Sequence, residues 1–109
     1  MVLAPRRRSE MTIADAEGAT VVRLDCDIDL STAAAIGDRL EQLVSSGRDS
    51  VVVVCDAVSF IESRGLAMMA RVQRLAEEAG CRLSWRDLQL PVLRTIHMTG
   101  LDTYLHIEA

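Results

Sequence analysis

The stretch that most constrains this chain runs from Val51 to Gly80, where VVVVCDAVSF meets the corner Ile61-Glu62-Ser63-Arg64-Gly65 and continues as LAMMARVQRLAEEAG. Val51 to Val54 followed by Cys55 is an unbroken, largely β-branched apolar run. It predicts a central strand covered by protein on both faces. Beyond the corner the period changes. Leu66, Met69, Val72, Ala76 and Ala79 fall three and four apart, leaving Arg71, Arg74, Glu77 and Glu78 for the outer face of a helix. Ser63 is expected at the N-cap and Gly80 as the left-handed stop. A helix N-terminus carries about half a positive charge and several unpaired N–H groups, so a serine there can receive an anion or sit beside one.

The rest of the chain supplies partners for this unit. Met11 to Ala16 and Thr20 to Leu24 read as strands joined at Glu17-Gly18-Ala19, an antiparallel hairpin. Asp25-Cys26-Asp27-Ile28-Asp29 follows as an acidic loop; calcium loops add a regular ligand series, a glycine at the turn and a late glutamate, and here a helix begins instead. Ser31 or Thr32 can cap that helix, Ile36, Leu40, Leu43 and Val44 form its apolar stripe, and Gly47 ends it. Cys81 to Arg86 alternates as a strand, Pro91 opens a short last helix closed by Gly100, and Tyr104 to Ile107 fits a final strand. The order β-β-α-β-α-β-α-β predicts a single-domain α/β sandwich, a mixed sheet with helices packed against it. The domain spans residues 11–109, and Met1 to Glu10, with Arg6 to Arg8, read as a flexible, solvated tail.

Composition excludes several functions. At net charge −4, with Phe60, Trp85 and Tyr104 the only aromatics, the chain offers neither the charge nor the stacking platform of a nucleic-acid binder. No apolar run is long enough to insert in a membrane or to act as a secretory signal, so a cytoplasmic protein is expected. Cys26, Cys55 and Cys81 lack the spacing of a zinc site and read as buried thiols of a reducing compartment. The carboxylates near Cys26 would raise its thiol pKa, which opposes a redox role. A hydrolase built from Ser63 with His97 or His106 would lack the G-x-S-x-G elbow, so no enzyme, metal or cofactor is expected.

Three motifs in order, VVRLDCDIDLSTA, VSFIESRGLAMM and HMTGLDTYLHI, resemble the STAS domain of bacterial anti-sigma factor antagonists and of sulfate-transporter tails, over residues 11–107. The resemblance implies an antagonist that binds a kinase-like anti-sigma factor and is phosphorylated at Ser63, with a phosphatase to reverse the mark. Its implied contact surface comprises Asp27, Asp29 and Ser31 of the acidic loop, Phe60, Glu62, Arg64 and Gly65 of the corner, and Met68 on the first turns of the helix. An exposed Met68 would serve an adaptable surface; packed beneath a neighbouring helix, it would not. Glu62 stands where most relatives carry aspartate, Arg64 where they carry a small hydroxyl residue, Cys26 and Ala67 at usual glycines, and Val54 at a usual aspartate. The alternative is a non-phosphorylated STAS subunit of a lipid-transport or stress-signalling assembly. The sequence leaves the oligomeric state open.

Overall fold

A computed structural model describes residues 11–108. The expected tail, residues 1–10, lies outside them. Strands β1 (Met11–Ala16), β2 (Ala19–Leu24), β3 (Ser50–Val54), β4 (Arg82–Arg86) and β5 (Ile107–Glu108) form one sheet in sequence order. Helices α1 (Ala33–Val44), α2 (Ser63–Ala79) and α3 (Leu90–Met98) connect the last four strands, with one 3-10 turn at Leu101–Thr103. β1 and β2 are antiparallel and every later pair is parallel, as the alternation of elements predicts. Glu17 and Gly18, at φ 48° and 84°, make a two-residue turn whose left-handed pair matches the twist of a hairpin.

The core lies on one face of the sheet. Val22, Val53 and Trp85 align across β2, β3 and β4, and Val51 sits beside Leu83 in the next row. All five are buried together with Ile36 and Leu40 of α1, Met69 and Val72 of α2, and Val92 and Ile96 of α3. The opposite face corrects the expectation for β3. Val52 and Val54 are half-buried and belong to rows Val21-Val52-Ser84 and Arg23-Val54-Arg86-Glu108. A continuous valine run therefore alternates in burial. Two ion pairs, Arg23–Asp56 at 2.9 Å and Arg86–Glu108 at 2.7 Å, stand over this outer face, where charge keeps its contact with water.

The expected last strand is shorter, because Leu101 to Tyr104 turns as a 3-10 helix that buries Leu105 before β5 begins. Gln73, which the apolar stripe of α2 leaves unassigned, is buried. Its Oε1 accepts hydrogen bonds from the Trp85 indole at 2.9 Å and from the His106 amide at 3.2 Å. An indole N–H removed from water needs such an acceptor. Gln73 thereby ties α2 to β4 and to the residue preceding β5. Cys55 and Cys81 are buried, and burial, reinforced by Asp56 and Asp87, pushes the Cys55 thiol up to about 12. At neutral pH that thiol stays protonated and unreactive.

Candidate functional site at the start of α2

The acidic loop and the corner are built as one piece. Ile28 and Ile61 form an isolated parallel bridge, the Ile28 amide donating to the Phe60 carbonyl at 3.1 Å and the Glu62 amide to the Ile28 carbonyl at 3.0 Å. Asp27 strengthens it. Its carboxylate accepts from the Ser59 amide at 2.7 Å, the Ser59 hydroxyl at 3.0 Å and the Phe60 amide at 3.2 Å. Gly65 lies directly beneath the bridge. A β-carbon there would stand 2.5 Å from Ile28 Cγ2 and 2.7 Å from Ile61 Cγ1, so only glycine lets the first turn of α2 approach this closely.

Ser63 follows from that seating, one position later than expected. Glu62, in extended conformation, is the N-cap, and Ser63 is the first helical residue, exposed, its hydroxyl without a hydrogen bond among the described residues. The Glu62 side chain makes no capping bond either. The first turn of α2 thus presents uncapped amides and a free hydroxyl together at the surface.

The start of α1 is the reverse. Neither Ser31 nor Thr32 caps it through its own side chain. Asp29 instead closes the turn that precedes it, its Oδ1 accepting from the Ser31 amide at 2.9 Å, the Ser31 hydroxyl at 2.8 Å and the Thr32 amide at 3.2 Å. The Thr32 hydroxyl donates to the Asp27 carbonyl at 2.8 Å. These bonds, the Ser31 hydroxyl first, hold the Asp29 carboxyl below the usual carboxylate range.

The residues expected at a partner surface therefore separate. Ser31, Phe60 and Arg64 are exposed, Phe60 by 52%, and Glu62 is half-buried. Asp27 is engaged with Ser59 and Phe60, and Asp29 with the turn into α1. Gly65 and Met68 are corrected to interior positions: Gly65 is packed beneath the bridge, and Met68, 4% exposed, packs at the α1–α2 crossing. The reason for the second is a residue that pattern reading passed over. Gly37 of α1 lacks the β-carbon that would lie 2.8 Å from Met68 Cγ, so the two helices close over the methionine. Leu30, 61% exposed at the tip of the acidic loop, was also not anticipated; its place directly before Ser31 in the loop was the available signal.

Among the described residues no three His, Cys, Asp or Glu side chains are grouped to hold a metal ion, and no helix is long and apolar enough to cross a membrane. His97 of α3 pairs with Asp102 of the 3-10 turn at 2.8 Å. His106 donates its backbone amide to Gln73. Neither histidine hydrogen-bonds to Ser63.

The family model for "Mlab, STAS domain" matches residues 11–107. The chain belongs to the STAS family. The anti-sigma-F factor antagonist RsfB of Mycobacterium tuberculosis is 31% identical over 94 residues, covering 84% of this chain and 75% of RsfB. An anti-sigma factor antagonist from Mycobacterium paratuberculosis has a crystal structure that superposes with TM-score 0.74 at 30% identity, over 89% of this chain and 82% of that one. SpoIIAA in its unphosphorylated form, 15% identical with TM-score 0.74 over 91% and 88% of the two chains, shares the fold. The phosphorylated form of the Bacillus protein also does, with TM-score 0.68 at 15% identity over 91% of each chain.

Proposed function

We propose that this STAS protein is an anti-sigma factor antagonist acting in the cytoplasm. It binds a kinase-like anti-sigma factor while Ser63 is unmodified and loses that partner when Ser63 is phosphorylated, with a phosphatase restoring the binding form. One observation carries the reading: the Ser63 hydroxyl is exposed and has no partner among the described residues, at the first position of a helix without a side-chain cap, on a corner held in place by Asp27 and Gly65. Kinship with RsfB supports the choice of partner.

The chemistry is local. Phosphorylation adds about −1.5 to −2 charges and three acceptor oxygens. At an uncapped helix N-terminus the protein's own amides and dipole offset that charge, so the fold tolerates it. A partner surface fitted to a neutral hydroxyl meets the same charge as repulsion and lost desolvation energy, and dissociates. Ser63 acts as acceptor of the phosphoryl group; the kinase partner supplies the nucleotide and the catalytic groups.

The test is incubation with ATP and the kinase-like anti-sigma factors of the same genome, read by intact mass, with Ser63→Ala alongside. One phosphate on the wild type and none on the variant is the expected result. Tight binding without phosphate would leave an antagonist that is not switched. Neither phosphate nor binding would favour a STAS subunit of another assembly, such as one in lipid transport or stress signalling.

A further inference from the structure

Beside Ser63 a groove runs between α1 and α2. Its floor is small, Ala33 and Ala34 from α1 and Ala67 from α2, with Met68 filling the space below. Leu30 forms one lip. Arg64 and Arg71, seven residues apart and on the same face of α2 as Met68, form the other. Among the described residues no carboxylate lines this groove, although the protein as a whole carries a net charge of −4.

Two of the nearby carboxylates are already engaged, and the third, Glu62, forms no ion pair with Arg64. Glu41 of α1 holds Arg71 at 2.6 Å, and Asp29 is occupied by the turn into α1. Arg64 makes no ion pair or hydrogen bond with another described residue. An exposed leucine, a shallow alanine floor and a guanidinium unpaired among the described residues therefore meet at one place on the surface.

We infer that the α1–α2 groove is the docking site for an acidic segment of the anti-sigma partner, one that places an apolar side chain on the alanine floor against Leu30 and a carboxylate on Arg64. The inference rests on the function proposed above and assigns the chemistry of its interface. A guanidinium recognises a carboxylate through two parallel hydrogen bonds, and the apolar floor supplies the desolvated surroundings in which that pair gains strength. It also gives Arg64 a part in the switch. A phosphate on the neighbouring Ser63 repels the partner's carboxylate and competes with it for the same guanidinium.

The experiment measures binding of the anti-sigma factor with ADP in place of ATP, so that phosphate transfer does not enter, across a series of salt concentrations. Arg64→Glu is expected to weaken binding at least about tenfold and to flatten the salt dependence, and Leu30→Ala to weaken it severalfold with the salt dependence intact. Arg74→Glu, on the same helix outside the groove and paired with Glu78, is expected to bind as wild type. Exchanging the contacting acidic residue of the partner for arginine should restore binding to Arg64→Glu. Both charge reversals are at exposed positions, and near-ultraviolet circular dichroism of each variant establishes that it is folded. Wild-type affinity for Arg64→Glu, or equal losses in Arg64→Glu and Arg74→Glu, overturns the groove assignment while leaving the antagonist reading in place. Failure of the wild type to bind any anti-sigma factor overturns both.

Discussion

The first turns of α1 and α2 lie side by side in the fold and are finished in opposite ways. The turn into α1 is closed by a carboxylate: Asp29 accepts two amides and a hydroxyl through Oδ1. The turn into α2 has no side-chain cap, although a carboxylate-bearing residue, Glu62, occupies its N-cap. Its position is set from underneath instead, by the Ile28–Ile61 bridge packed on Gly65. A chain that closes the turn into one helix with a carboxylate and leaves the entry to the adjoining one open has separated support from availability. What stabilises the second start is apolar packing, which does not consume its donors.

Gly65→Ala should break the contrast most severely. The added methyl meets Ile28 Cγ2 at 2.5 Å and the Ile28 carbonyl at 3.1 Å, so the first turn of α2 must lift off the bridge. Overpacking outweighs the gain in helix propensity, and urea unfolding is expected to show a loss of about 2 kcal/mol. Gly65→Ala should also lower anti-sigma binding by moving Ser63. Asp29→Ala removes the closure of α1 and is expected to lower Tm by about 5 °C without affecting Ser63 as a phosphate acceptor.

The acid dependence of that closure has a definite sign. The Asp29 carboxyl titrates below its ordinary value in the folded protein, so its contribution is complete above about pH 4 and is lost as pH falls through the lowered folded value. Thermal melts of wild type and Asp29→Asn should therefore differ at neutral pH and converge in strong acid.

The smaller effects sharpen the comparison. Glu62→Asp gives α2 a residue short enough to cap it, and should raise stability by about 0.5 to 1 kcal/mol in thermal unfolding. Gly37→Ala is expected to lower stability by about 0.5 to 1 kcal/mol, because the added methyl meets buried Met68 at Cγ and the propensity gain offsets only part of that overpacking. It should also be felt at the groove, where Met68 moves to make room.

Much of the fold was legible because its elements announce themselves one at a time. Val51 to Val54, the stripe Ile36-Leu40-Leu43-Val44 and the left-handed Gly18 each carry a local signal, and the observed order of strands and helices follows from them. The same valine run misled about covering. Four β-branched residues suit any strand, and only tertiary packing decides that Val51 and Val53 face the helices while Val52 and Val54 do not. The site was legible in its residues and less so in their roles. Ser63 was recognisable from the corner, but whether it or Glu62 caps α2 depends on the Ile28–Ile61 pairing, which joins segments more than thirty residues apart. Gly37 and Gln73 were missed for a similar reason. Each is explained by a partner on another element, Met68 for the glycine and Trp85 for the glutamine.

The bond from Trp85 to Gln73 also gives the protein an optical gauge. Trp85 is its only tryptophan and Tyr104 its only tyrosine, so emission excited at the red edge of indole absorption comes from one buried ring whose N–H is held by α2. A displacement of α2 along its axis would stretch or break that bond and shift the emission spectrum, whereas a partner that docks at Ser63 without moving the helix would leave the spectrum unchanged. Stopped-flow fluorescence can therefore follow the helix that carries Ser63 in real time, with no attached dye.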